Sequence, residues 1–368
     1  MSEADPLQQV RRTYVRHQGQ TLSYFSGFDY FRLASHPRIV RAVKDGLSRY
    51  GLNVAASRIT TGNHKLYGRL EKQLGKFFRA EAALLTSTGY VTNLVVAQAL
   101  AGQFSHALMD ERAHAALKDA AQFLNCPVLS FKHRDVASFE VALKRCGNGA
   151  RPLVLTDGMF SHDGSVSPLR EYLKLLPRDG LLFVDDAHGA GVLGKTGGGA
   201  VELQGVSREC VVQCVTLSKA FGVYGGAILC SRKLRARLVS SPAFVGSTPL
   251  PLPLANAALE ALVVLGDSKS FRARLNANAT FVKTVLREAG LSLPDNPGPI
   301  IPLRFRKASE IAKLKRALIA ANILPPLINY PGAPAGGYYR FVISSEHSKA
   351  QLQQLIRALT PSARLANR

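Results

Sequence analysis

The chain predicts an α/β fold in which a large, mostly parallel, helix-covered sheet domain is followed by a smaller C-terminal α+β domain. Apolar, strand-like runs alternate with helical patterns from about residue 80 to 235, the order that builds a parallel sheet with helical crossovers. Two of these runs, Val211–Val215 and Leu181–Val184, end abruptly in polar and titratable side chains. In open α/β sheets, ligands bind at the carboxyl ends of the strands. The Pro-rich stretch Pro249-Leu-Pro-Leu-Pro253 and the helices after it suggest a boundary. Beyond it, strands are expected at Ile300–Phe305 and Arg340–Ile343, and helices at Ala308–Ala321 and Lys349–Leu359. The expected divisions are an N-terminal arm and entry segment over 1–50, a large domain over 51–265 and a small domain over 266–368. A chain of 368 residues is long enough for two or three domains.

Residues 1–20 carry no independent structural signal, and Leu33-Ala-Ser-His-Pro37 opens an amphipathic stretch that runs to Tyr50. No charged side chain occurs from residue 82 to 109. The polar block Thr86–Asn93 in the middle of this span argues against a membrane crossing, so a strand, a turn and a buried helix from Val91 to Leu100 are expected. Small hydroxyl residues and Gly89 precede that helix, whose first amides would favour an anion. Asp110-Glu-Arg-Ala-His114 reads as helical, and His114 on its own suits an ordinary partly buried side chain. The strand Leu153–Leu155 leads into Thr156-Asp157-Gly-Met-Phe-Ser161-His-Asp163-Gly164, where His162 and Asp163 read as loop residues.

Leu181–Val184 exits into Asp185-Asp186-Ala-His188-Gly, and Val211–Val215 exits into Thr216-Leu-Ser218-Lys219. Gly222, Gly225 and Gly226 follow with little bulk, so another backbone or a flat ligand can approach closely. Taken singly, the aspartates suit a turn or helix cap and the lysine an ordinary loop. Together, a lysine able to form a Schiff base, a carboxylate and a histidine at neighbouring strand ends are what pyridoxal phosphate requires.

Val184-Asp-Asp-Ala-His-Gly-Ala-Gly-Val-Leu-Gly194 and Thr216-Leu-Ser-Lys219-Ala-Phe-Gly222 resemble the signature segments of the α-oxoamine synthases, collinearly over roughly residues 25–358. These are fold-type I pyridoxal phosphate enzymes that condense an amino acid with an acyl thioester. The resemblance implies that Lys219 binds the cofactor covalently and then moves a proton at the substrate α-carbon, with His114, Asp185 and His188 as the other catalytic residues. His114 would stack on the ring, Asp185 would hold the pyridinium nitrogen protonated, and His188 and Ser161 would contact the phenolic oxygen. Thr88, Gly89, Tyr90 and Thr216 would cradle the phosphate. Thr248, in Phe244-Val-Gly-Ser-Thr-Pro249, would reach the phosphate of a neighbouring subunit, which implies a homodimer. Arg340 would clamp the amino acid carboxylate, a task suited to a bidentate guanidinium. Its segment, Pro331–His347, resembles the family's substrate-carboxylate segment.

Three departures bear on the substrate. Phe28 stands where most members carry asparagine, which removes a polar partner for the substrate carboxylate. Arg32, in Tyr30-Phe-Arg-Leu33, falls near the expected entry to the acyl site, and a glycine-rich run is thinned to Leu52–Arg58. The implied reaction is a decarboxylative condensation. In its most specific form L-alanine and a pimeloyl thioester, from coenzyme A or a carrier protein, give 8-amino-7-oxononanoate for biotin biosynthesis. Glycine or serine with another acyl-CoA is the alternative.

The formal charge of +22, from 47 basic and 25 acidic residues, favours anionic partners. Acyl-coenzyme A or an acidic acyl carrier protein satisfies it. The basic residues are dispersed and no nucleic-acid motif accompanies them, so a nucleic-acid-binding protein on a degenerate enzyme fold is the remote alternative. The five cysteines are odd in number and lack metal-type spacing, so no metal is expected and a reducing cytoplasm is. The N-terminal residues lack the basic start and apolar core of a signal peptide.

Overall fold

The computed structural model describes residues 5–267, 269–329 and 336–362. They fall into two compact units: Leu33–Phe160 with Val166–Lys269, and the N-terminal residues to Arg32 with Ser161–Ser165 and the chain from Ser270 onward.

The second unit begins with an antiparallel meander of β1 (Gln8–Arg11), β2 (Tyr14–His17) and β3 (Gln20–Ser23). The sequence carries no clear sign of it, because the tight β2–β3 turn uses Gln18 and Gly19, both at positive φ, in place of the usual Asn-Gly or Asp-Gly pair.

The first unit holds a seven-stranded sheet of β4 (Ala82–Thr86), β5 (His106–Asp110), β6 (Val128–Phe131), β7 (Pro152–Asp157), β8 (Leu181–Asp185), β9 (Val211–Thr216) and β10 (Gly226–Cys230), in the order β4-β10-β9-β8-β7-β5-β6. Strands β9, β8, β7, β5 and β6 run parallel, and β10 is antiparallel to both of its neighbours. β7 and β9 are buried along their whole length. This follows from helices covering both faces, which turns the expected in-out alternation into continuous apolar runs. The helix Gly89–Leu100 starts two residues before the expected Val91 and lacks an amphipathic face, because Val95, Val96 and Ala97 are all fully buried in the core with Leu84, Phe183, Val212 and Ile228. The mostly parallel, helix-covered sheet agrees with the sequence. The helix Leu252–Asp267, which follows the Pro-rich stretch, belongs to this unit.

The C-terminal part of the second unit carries β11 (Ile300–Leu303), β12 (Leu327–Ile328) and β13 (Tyr338–Val342), antiparallel in the order β11-β13-β12. Lys269–Glu288, Ala308–Ala320 and Lys349–Leu359 are its helices. Ile301, Leu303, Leu314, Leu318, Tyr339, Phe341 and Leu355 form its core. β13 starts two residues earlier than the sequence suggests. The preceding Pro331–Ala335, part of the expected substrate-carboxylate segment, lies outside the described residues. Among the described residues no helix is long and apolar enough to cross a membrane.

Candidate active site

Parallel register sets the site. Asp157 at the end of β7 pairs in register with Asp185 at the end of β8, and Asp185 with Cys214, two residues before the end of β9. The side chains that leave these strands line a pocket of about 240 Å³ together with Gly89, His114, His188 and Lys219.

Lys219 sits on a tight excursion between β9 and β10. Leu217 N–H donates to Gly225 O (2.9 Å) and Val223 N–H to Leu217 O (2.9 Å), which closes the loop. Gly222, at φ +65°, allows this closure, since a Cβ there would lie 2.4 Å from the Ala34 backbone nitrogen. The Lys219 Nζ lies 2.7 Å from His188 Nε2. His188, buried, follows β8 by three residues.

Asp185 is buried and accepts from two donors, Asn93 Nδ2 at 2.6 Å and Ala187 N–H at 3.1 Å. These bonds fix the plane of its carboxylate at the pocket wall. Asp157 accepts the His114 N–H at 2.8 Å. Burial first, and then the Asp185 charge, push the Asp157 carboxyl well above the usual range, so of this close pair Asp157 is driven toward the neutral form. His114 does not lie within a helix as expected; it caps the helix Ala115–Ala121, its Nδ1 accepting the Ala116 N–H at 3.2 Å. Partial desolvation lowers the His114 pKa against the opposing pull of Asp185, and the Lys219 charge lowers it further. With Nδ1 accepting, the neutral ring carries its proton on Nε2.

The start of the helix Gly89–Leu100 also lines the pocket. Thr88 caps it, Oγ1 accepting the Val91 N–H at 3.2 Å. Gly89 is required by close approach, since a Cβ would come within 2.8 Å of Thr216 Cβ. The Thr216 hydroxyl donates to Gly225 O (3.1 Å) and lies 2.7 Å from Ser218 Oγ. Tyr90 is half exposed, its hydroxyl bonded to Asp119. A helix N-terminus beside two hydroxyls suits a phosphate, and a doubly oriented carboxylate, a histidine at the pocket wall and an amine suit a pyridinium aldehyde. The donor set therefore fits pyridoxal phosphate.

Asp186 points to the other face of β8, as strand alternation demands. It is fully buried, and Oδ2 accepts from Gln213 Nε2 (2.7 Å) and Ala200 N–H (2.8 Å). Burial raises its pKa to about 7. Gly158 and Gly189 make room for it, since a Cβ on either would come within 2.2 Å of its Oδ1.

Thr248 lines a separate narrow crevice with Arg58, Tyr67 and Ser87. Ser161, Arg32 and Arg340 belong to the second unit. There Arg340, buried on the central strand β13, donates from Nη1 to the backbone oxygen of Ser161 (3.2 Å), and its guanidinium carbon lies 4.6 Å from the centre of the Phe28 ring. Arg32 is 2 % exposed, and its Nη2 donates to Tyr24 O (3.0 Å) and Ser26 O (3.3 Å), so its guanidinium serves the backbone of its own segment and is not presented to solvent. Asn93 and Asp157 were not singled out by sequence. The available signals were an amide inside an otherwise uncharged helix and a carboxylate at a strand end.

A family model for aminotransferase class I and II matches residues 29–359. An 8-amino-7-oxononanoate synthase of Thioalkalivibrio sulfidiphilus is 36% identical over 350 residues, covering 94% of this chain and 89% of that protein. Among solved structures, a serine palmitoyltransferase variant from S. paucimobilis with a bound PLP–myriocin aldimine superposes with a TM-score of 0.90 at 25% identity, covering 97% of this chain and 91% of its own. An 8-amino-7-oxononanoate synthase from Francisella tularensis gives 0.80 at 26% identity, with 93% and 98% covered. The cofactor of this fold is pyridoxal phosphate. The chain belongs to the aminotransferase class I and II family, among the α-oxoamine synthases that include the 8-amino-7-oxononanoate synthases.

Proposed function

We propose that this enzyme joins L-alanine to a pimeloyl thioester with loss of carbon dioxide and free thiol, giving 8-amino-7-oxononanoate. The observation that carries the chemistry is the Lys219 amine 2.7 Å from His188 Nε2, in one pocket with the doubly bonded Asp185 carboxylate. The choice of substrates is supported by the relatives, which share the name across almost the whole chain.

Pyridoxal phosphate, when bound, supplies an electron sink for negative charge at the amino acid α-carbon. Lys219 is the residue to hold its carbonyl carbon, Asp185 its ring nitrogen, His114 one ring face, and Thr216 with the first turn of helix 89–100 its phosphate. Asp185, its carboxylate oriented by Asn93 and the Ala187 amide, would hold a proton on the ring nitrogen. Lys219 Nζ, once free, takes the α-proton of the amino acid and returns a proton to the product, and His188 Nε2 orients that amine. The new carbon–carbon bond forms as the carbon–sulfur bond of the thioester breaks, and the substrate carboxylate leaves as carbon dioxide.

Arg340 is the candidate clamp for that carboxylate while the substrate is held. The +22 charge suits an anionic acyl donor, coenzyme A or a carrier protein. Thr248, outside the pocket of its own chain, suits the phosphate site of a second copy in a homodimer, and five free cysteines suit the cytoplasm.

Carbon dioxide and thiol release from L-alanine, glycine and L-serine, each with pimeloyl-CoA, pimeloyl carrier protein and longer acyl-CoAs, tests the assignment. Equal release of both with alanine and a pimeloyl donor is expected. Turnover only with glycine or serine, or only with another acyl group, would sink it.

A further inference from the structure

We infer that Phe28 is a positioning residue for Arg340, fixing the plane in which that guanidinium meets the amino acid carboxylate. The inference rests on the assignment of Arg340 as the carboxylate clamp and adds what sets its geometry.

The root of Arg340 is rigid. It lies on the central strand β13, opposite Pro302 of β11, and its own amide donates to Pro326 O at 3.0 Å. The long side chain beyond that root has several torsions, and an arginine left to itself would sample many of them. Contacts of two different kinds bear on its tip. Nη1 donates to Ser161 O at 3.2 Å, which fixes one edge. The Phe28 ring, 4.6 Å from the guanidinium carbon, lies at stacking distance. A hydrogen bond at one edge does not by itself define the plane of a planar ion, and a ring against its face adds a restraint on that plane. In a buried setting, 5 % exposed for Arg340, such a stack is at the strong end of its range.

Phe28 is itself held. It rides on a turn that begins at Gly27, with φ +69°, and closes with Tyr30 N–H donating to Phe28 O (2.9 Å) and Arg32 N–H to Asp29 O (3.0 Å). The Arg32 guanidinium braces the start of that turn through Tyr24 O and Ser26 O. The far side of the turn is tied to the chain just beyond β13, where Ser345 N–H donates to Tyr30 O at 3.0 Å. The stacking ring and the arginine are therefore referenced to the same strand. This gives Arg32 a task as well: it stabilises the turn that presents Phe28.

A clamp of fixed plane gains most for a planar anion, because both of its hydrogen bonds to a carboxylate require coplanarity. Phe28 should therefore matter for ligands that carry a carboxylate and not for amines that lack one. L-alanine and ethylamine differ by that group alone.

The test is calorimetric and spectral titration of the PLP-loaded protein with L-alanine and with ethylamine, without acyl donor, for the wild type, Phe28→Leu, Phe28→Tyr and Arg340→Lys. Phe28→Leu is expected to weaken L-alanine about 5- to 30-fold, with ethylamine unchanged within about twofold, and Phe28→Tyr should restore alanine binding. Equal weakening of both ligands would overturn the inference, since Phe28 would then be mere packing. Unchanged alanine binding in Phe28→Leu, with Arg340→Lys impaired, would also overturn it while leaving the clamp in place. Unchanged alanine binding in Arg340→Lys would remove the clamp itself, and the inference with it.

Discussion

In the first unit, Asp157, Asp185 and Thr216 terminate three neighbouring strands, so sheet register alone brings their side chains to one edge. In the second unit, Arg340 lies in the middle of β13 and is oriented by Phe28 and Ser161, residues that sheet register does not align with it. A pocket built by register tolerates loss of a supporting contact poorly, because each carboxylate is buried and depends on specific donors. A side chain steered by a backbone carbonyl and a ring should be indifferent to which side chain supplies the carbonyl.

The contrast can be broken most severely at Asp185. Asp185→Asn removes the charge facing the ring nitrogen while keeping the volume, and kcat/KM should fall about 10²- to 10³-fold. Asn93→Ala deletes the 2.6 Å bond to Asp185 Oδ2 and should cost about 10- to 100-fold. If Asn93→Ala is silent, the idea that the carboxylate depends on its donors fails.

The two units should also respond to pH in opposite directions. Asp186, raised to about 7 by burial, binds its proton more tightly in the folded than in the unfolded chain. Its contribution is therefore full below about pH 4 and is lost as pH rises through 7. His347 in the second unit, lowered to about 3 by burial and then by the Arg32 charge, contributes fully above 6.5 and loses that contribution as pH falls through 3. Denaturant midpoints of Asp186→Asn and His347→Gln, each subtracted from wild type, should show these opposite slopes, amounting to about a few kcal/mol. Parallel slopes would show that burial does not govern the two groups.

The smallest effect is expected at Ser161. Arg340 takes the backbone oxygen of Ser161, so Ser161→Ala should change the KM for the amino acid by less than about twofold. A large effect would show that the Ser161 hydroxyl, and not its carbonyl alone, governs binding of the amino acid.

The large sheet and its pocket were legible because their signals are local. An apolar strand followed at once by Asp185 or Lys219 states both the element and the position of the side chain. Asn93 was not legible as a partner of Asp185, since that contact joins a helix to a strand 92 residues away. The N-terminal meander leaves little trace in the sequence because its strands have only four residues each and its tight turn lacks the usual residues. Phe28 was visible only as a departure from a pattern. Its stacking on Arg340 needs the fold.

Whether Lys219 holds the cofactor is decided by reducing the PLP-loaded protein with borohydride and mapping the trapped phosphopyridoxyl group by peptide mass spectrometry. One modified peptide is expected, the one containing Lys219, and none from Lys219→Ala. A label on another lysine such as the buried Lys283, or no label on Lys219, would contradict it.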